Sequence, residues 1–448
     1  MVKKIIAVFA LVVGFSGYAM AALTQEELSQ LGGDKLTAIG AEVAGNADGT
    51  IPPYTGGYTT VPPGFDRSKM MLPDPFADEK PLYSIDAKNM DQYKDKLSPS
   101  TIHMITKHAD FRIDVYPTHR TVAIPDYIAE GTKRSAAVAT LENDGKNLNG
   151  CWYGIPFPLP KNGQEAIWNH ILRWSAPGEE FLRYNAFVIT SAGRRILASE
   201  GHTYMEYPYW NPNATAHKDR HWMLDDRLIA PANRNGEGLM WFLSTDKSHG
   251  DPAWQYLPGQ RRVKMAPEIA YDGPNTTVAG ASTYDDAFIF TGSPDRYDWK
   301  ILGKREMLVP YNNYKFIYHS TPDTAIGPHF INPDYVRWEL HRVWVVEGTL
   351  KEGMRHIYIR RTLYLDEDSW IGLMADEYDN KNMLYRGMFS GLVFNYDTKA
   401  PFSTTYYGYD FVSGIYWVNA YLMGPNLLVT IRPDTVWSPQ SLAGTGIR

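Results

Sequence analysis

The chain of 448 residues contains a single cysteine, Cys151. An intrachain disulfide is therefore excluded, and the fold must rest on its packed core. Cys151 itself is expected to be a buried thiol rather than a nucleophile. Past the first 21 residues no stretch approaches the roughly 18 apolar residues that a membrane helix needs. Familiar catalytic signatures are also missing: there is no Gly-x-Ser-x-Gly elbow, no phosphate-binding loop and no His-Glu-x-x-His pair. Basic charge is not in excess. The formal net charge is −6, which gives no reason to expect a nucleic-acid partner. No short fixed repeat and no low-complexity tract occurs.

The N-terminus carries the first positive signal. Lys3 and Lys4 precede an apolar run from Ile5 to Val13, which is of signal-peptide length. Ala19-Met20-Ala21 then offers the small residues that a signal peptidase accepts. The reading is a signal peptide over residues 1–21, cleaved after Ala21. No cysteine follows that site, so an N-terminal lipid anchor is not expected. Cleavage would leave 427 of the 448 residues, and loss of Lys3 and Lys4 takes the charge from −6 to −8.

Aromatic residues are abundant: 13 Trp, 30 Tyr and 17 Phe, or 13% of the chain. That load suits broad sheet surfaces or an apolar or carbohydrate-binding cavity. Thr24 and Glu27 have capping-box spacing and predict a short helix. A Gly- and Pro-rich stretch from Gly45 to Gly64 reads as an extended arm. Helix is predicted over 86–97, 100–108 and 163–174, and a broken strand over 111–124. Short strand candidates follow at 181–190, 194–199, 202–209, 239–244 and 253–257. The clearest pattern is late. Trp338, Leu340, Trp344 and Val346 alternate with Glu339, His341 and Glu347. Ile357, Ile359, Leu363 and Leu365 alternate with Tyr358, Arg360, Thr362 and Tyr364. The segments 338–347, 355–365, 370–378 and 383–390 are expected to be consecutive antiparallel neighbours. No βαβ alternation appears, so a doubly wound nucleotide fold is improbable. The organisation expected is an N-terminal arm with helices (22–110), a curved sheet domain (111–433) and a loose tail (434–448).

Candidate sites are few. His217 and His221 would share a helix face with Asp225 and Asp226 beyond them, but no third ligand stands at a recognisable spacing, and a solvated helix or loop is the plainer reading. Asp366, Glu367 and Asp368, then Asp376, Glu377 and Asp379, form acidic groups. Paired carboxylates serve sugar hydrolysis, yet acids at strand ends commonly sit in solvated turns. Gln260-Arg261-Arg262-Val263-Lys264 is a compact basic run. Arg261, Arg262 and Lys264 are candidates for contact with an anionic head group or an acidic partner.

Several segments together resemble one bacterial family. They include Gly45-Asn46-Ala47-Asp48-Gly49-Thr50-Ile51-Pro52, Gly154-Ile155-Pro156-Phe157-Pro158 and Glu165-Ala166-Ile167-Trp168-Asn169-His170. Leu257-Pro258-Gly259-Gln260-Arg261-Arg262-Val263, Gly292-Ser293-Pro294-Asp295-Arg296-Tyr297-Asp298-Trp299, His341-Arg342-Val343-Trp344-Val345-Val346-Glu347 and Tyr364-Leu365-Asp366-Glu367-Asp368-Ser369-Trp370 complete the set. The chain resembles the exported family of unknown function often labelled outer membrane lipoprotein-sorting protein, which is similar to the periplasmic carriers LolA and LolB. The resemblance implies a sheet-dominated α+β fold: a strongly curved antiparallel sheet, an incomplete β-barrel, covered by short helices around a greasy cavity. It also implies a periplasmic carrier of a hydrophobic, lipid-like cargo or a lipidated protein. Such a carrier would work with a transporter of the resistance–nodulation–division class and an outer-membrane protein. No cofactor, metal or catalytic residue is implied.

The expected cavity wall is the face carrying Leu363 and Leu365, with Trp344, Leu373, Met383 and Phe389 on neighbouring strands; a one-residue register shift would reverse that face. Two alternatives stand beside the carrier. One is a periplasmic glycan hydrolase using carboxylates near Asp366 and Asp376. The other is an assembly module of a transporter complex that binds no small ligand.

Overall fold

The computed structural model describes residues 22–67, 71–214, 219–428 and 431–444. Residues 1–21, expected from the sequence to be a signal peptide, and His217 lie outside the described residues. Sixteen described strands join in one curved sheet that does not close into a barrel. The chain builds it as two antiparallel meanders. The first runs through Gly178–Ile189, Arg195–Glu206, Arg220–Ala230, Gly238–Ser244, Ala253–Leu257 and Arg262–Met265. The second runs through Arg337–Leu350, Arg360–Asp366, Gly372–Tyr378, Leu384–Ser390, Tyr406–Asp410 and Tyr416–Leu422. They meet where Tyr416–Leu422 pairs antiparallel with Gly178–Ile189. Tyr297–Pro310 lies along Arg337–Leu350.

The four consecutive strands expected from the late alternation are present, with Trp344 opposite Leu365 and Leu363 opposite Ala375. The arm joins the same sheet. Its Tyr83–Ile85 pairs with Ile113–Val115, which lies parallel to the start of Arg337–Leu350. Ile39, Ile51, Leu72 and Phe76 of the arm enter the main core.

The local chemistry explains the short helices. Thr24 caps Gln25–Gln30 by the reciprocal capping box. The Ser98 side chain accepts from Thr101 N and caps Pro99–Lys107. Asn162 caps Gly163–Ile171 in the same way. Residues 86–97, expected to be helical, form only the short turns Met90–Gln92 and Lys94–Lys96. Helix Asp126–Ala136 was not anticipated. It buries Gly131, Thr132 and Ser135 beside Ile128, so it has no apolar stripe to betray it. Among the described residues no helix is long and apolar enough to cross a membrane.

Two sequence expectations fail for identifiable reasons. The segment with His221, Asp225 and Asp226 is the strand Arg220–Ala230, not a helix or loop. The tail is not loose over its described part. Trp437 and Leu442 are 4% and 0% exposed and pack on Tyr204, Met223, Met240 and Phe242. These four sit on the side of the first meander that its alternate residues leave uncovered, so the tail is its lid.

Candidate functional site

The first meander exposes a second row of side chains on its opposite face. Because successive residues of a strand alternate, Thr203 and Met205, Trp222, Leu224 and Asp226, and Leu239 and Trp241 all point the same way. With Phe181 and Tyr184 they form one wall of a pocket. Tyr406 and Ala420 from the end of the second meander close one side. The cover is the segment Asn275 to Phe288, folded into the short turns Thr276–Val278 and Tyr284–Asp286. The cavity volume is about 80 Å³, below the usual range for small-molecule sites.

Its walls are mainly aromatic. Trp222 and Trp241 meet edge to face at 5.3 Å, and Tyr284 and Phe288 pack on them from the cover at 5.8 and 5.9 Å. One carboxyl group belongs to the lining. Asp226 accepts from Tyr184 Oη at 2.9 Å and from Thr203 Oγ1 at 2.5 Å. Burial pushes its carboxyl up to about 6, against those hydrogen bonds. Trp241 Nε1 and Asn419 Oδ1 have no hydrogen-bond partner. Trp222 Nε1 and Tyr406 Oη have polar neighbours, Tyr207 and Asn275, but no formed hydrogen bond.

Trp241 also borders a second, more polar cavity, lined by Lys146, Lys247, Asp251, Tyr271 and Asp285. Lys247 is paired with Asp251 at 2.7 Å and Lys146 with Asp295 at 3.5 Å. Asp285 links this cavity to a buried ion network. Arg361, fully buried, reaches Asp285 at 2.8 Å, Glu377 at 3.0 Å and Asp286 at 3.3 Å. Arg386 and Tyr358 support Asp286 from the other side. Burial alone would raise the Asp285 carboxyl, but Arg361 and His356 hold it well below the usual range. Glu377 goes the other way, up to about 8, because burial outweighs its share of Arg361.

The acidic residues read as solvated turns are in fact buried, Asp366, Glu367, Asp368, Asp376 and Glu377 all being under 6% exposed. The reason is tertiary: the arm and the helices Pro99–Lys107 and Gly163–Ile171 pack on the second meander, so its polar alternates are covered too. Arg120 holds both oxygens of Asp368, and Arg342 and Lys304 hold Glu367. His341, Asp366 and Asp368 bring ligand atoms within 4.8 Å of one another, the one such trio among the described residues. Asp368 is held by Arg120, Asp366 Oδ2 by Tyr311 and Ser369, and His341 by Glu339, while Asp366 Oδ1 is buried without a partner. Asp366 is raised to about 7 by burial and by the like charge of Asp368. Asp376 instead bonds Ser100 N and Tyr364 Oη. The carboxylates suggested for hydrolysis therefore share no partner, and neither lines the two cavities above.

None of the six residues expected to line a cavity lines the apolar pocket. Leu363, Leu365 and Leu373 are fully buried core, and Trp344 is half-buried, stacked on Trp370. Phe389 borders only a shallower depression with Trp338, Tyr407 and Tyr409. Met383 is 63% exposed in the turn before Leu384–Ser390. Arg261, Arg262 and Lys264 are exposed on the terminal strand of the sheet, with Arg261 in the left-handed turn conformation (φ 48°) that starts it. Burial pushes the thiol of Cys151 up to about 12, which disfavours the thiolate. His221 is buried as well, which pushes its imidazole well below its usual range. The pocket's own strand Arg220–Ala230 escaped the sequence reading, because Trp222-Met223-Leu224 is one apolar run followed by Asp225-Asp226-Arg227, with no alternation to mark a strand.

A curved open antiparallel sheet with few helices defines a sheet-dominated α+β fold. Residues 84–443 match the family described as a protein of unknown function, DUF1329, and the chain belongs to that family. It is the family the sequence motifs resemble. An uncharacterised protein of Pseudomonas aeruginosa is 38% identical over 412 residues, 89% of this chain and 88% of that protein. A putative outer membrane lipoprotein-sorting protein domain from Vibrio parahaemolyticus has a TM-score of 0.43 at 15% identity, covering 63% of this chain and 98% of that one. A LolA superfamily protein from Nitrosomonas europaea has a TM-score of 0.37 at 12% identity, covering 62% and 98%.

Proposed function

We propose that the protein is a periplasmic carrier that holds an apolar, lipid-like molecule in the pocket between the first meander and the segment Asn275 to Phe288. The observation that carries this reading is the pocket itself: an aromatic and aliphatic hollow formed by one face of four neighbouring strands and roofed by a loop. Apolar surface withdrawn from water contributes about 25 cal/mol per Å². Export through the signal peptide 1–21 belongs to the same proposal, and N-terminal sequencing of the exported protein should return Ala22. The exposed Arg261, Arg262 and Lys264 suit contact with an anionic membrane or partner. A resistance–nodulation–division transporter and an outer-membrane protein are the partners the family resemblance suggests.

The test is a pair of substitutions. Leu239 lines the pocket and is only partly buried, so Leu239→Asp should weaken binding of the neutral apolar dye Nile red by about tenfold or more with little change in melting temperature. Leu363→Asp, in the packed core, should instead cost several kcal/mol of folding stability, roughly the burden of an unpaired buried carboxylate. Wild-type protein, freed of bound lipid, that takes up no apolar probe would remove the carrier reading.

A further inference from the structure

We infer that the ligand of this pocket is uncharged and carries an oxygen that accepts hydrogen bonds, a ketone or an ester, and is neither a free fatty acid nor a plain hydrocarbon. The inference rests on the pocket being a ligand site and names what that site selects. The argument is an inventory of its polar atoms. No Lys, Arg or His lines the pocket. Arg173 stacks on Phe288 at 4.5 Å from the ring centroid but is not part of the lining. The one carboxyl in the lining is Asp226, so a carboxylate or phosphate entering here would meet a like charge and no cation.

Donors, by contrast, are in surplus. The indole N–H of Trp222 and of Trp241 can only donate. These side chains are 5% and 4% exposed; the Trp241 N–H has no acceptor, and the Trp222 N–H has Tyr207 beside it but no formed hydrogen bond. Tyr406, 1% exposed, adds a hydroxyl without a formed hydrogen bond. Asp226 does not answer them, because Tyr184 and Thr203 already donate to it. Asn419 contributes one unpartnered acceptor, which a hydroxyl can meet. Buried polar groups are rarely left without partners, and here several border one cavity. A hydrocarbon would fill the hollow and leave the indoles unanswered. A carbonyl oxygen would accept from them without bringing a charge.

The full mature chain, stripped of bound lipid, can be loaded with the neutral apolar dye Nile red and challenged at about pH 8, where a fatty acid is ionised. The competitors are hexadecane, palmitate and methyl palmitate, delivered from cyclodextrin. Methyl palmitate should displace the dye at a concentration about tenfold below the other two. Trp241→Phe keeps the ring and deletes the N–H; it should shrink that preference several-fold. Trp254→Phe, on the opposite face of the sheet beside Phe242, should leave it intact. Palmitate or hexadecane competing as well as the ester, or an ester preference unchanged in Trp241→Phe, would overturn the inference while leaving the carrier reading in place. A protein that takes up neither Nile red nor any competitor overturns both.

Discussion

Arg361 is the side chain whose removal the structure predicts most sharply. It is fully buried, ringed by Phe290, Tyr358 and Tyr297, and is shared by Asp285, Asp286 and Glu377. Arg361→Met preserves most of the stem volume and deletes the charge. Three buried carboxylates are then left with Arg386, 3.8 Å from Asp286, and His356 on Asp285. Breaking one partner out of a buried ion network costs about 3–5 kcal/mol. Unfolding entropy for a chain of this length is about 0.9 kcal/mol/K, so the melting temperature should fall by about 3–5 °C.

The pH dependence gives the mechanism. Without Arg361 the orphaned carboxyls have folded pKa values raised above their unfolded values of about 4. A carboxyl raised in this way favours the folded state below its unfolded pKa and loses that contribution as the pH climbs through the folded value. The deficit of the variant, measured by urea unfolding, should therefore be largest near pH 8 and shrink toward pH 5. A deficit below about 1 kcal/mol, or one equal at both pH values, would refute the reasoning, because a merely packed Arg361 would show no such slope.

Three further outcomes are expected. Asp226, raised to about 6 by burial, contributes stability that is present below pH 4 and lost as the pH rises to about 6. Asp226→Asn should remove about 2–3 kcal/mol of that slope in urea titrations between about pH 4 and 7, and parallel curves for the two proteins would contradict it. Trp437 stacks on Tyr204 at 5.5 Å and donates to Glu206 at 3.1 Å; Trp437→Ala should cost about 3–5 kcal/mol, whereas a loose tail would show under about 0.5 kcal/mol. Replacing Arg261, Arg262 and Lys264 together by Glu should abolish co-sedimentation with anionic vesicles and barely move the melting temperature; unchanged sedimentation would exclude this edge as the contact.

Local pattern alone carried the meander of the second half. The alternation around Trp338 to Val346 and Leu363 to Leu365 has a period of two, and short turns force neighbours to be antiparallel, so four strands and their order were legible. The Thr24–Glu27 cap was equally local. The family, too, was legible, because its motifs are linear strings. What no local pattern contains is the pairing of Tyr416–Leu422 with Gly178–Ile189, strands more than 200 residues apart that make one sheet of two meanders. Which face of each strand would be covered, and by what, depended on that long-range assembly. The arm and two helices bury the polar alternates of the second meander as ion networks, and so Leu363 and Leu365 became packed core. The loop Asn275 to Phe288 roofs the first meander incompletely, and so the hollow formed there, beside Trp241 and Asp226, around residues whose sequence says nothing about the cover above them.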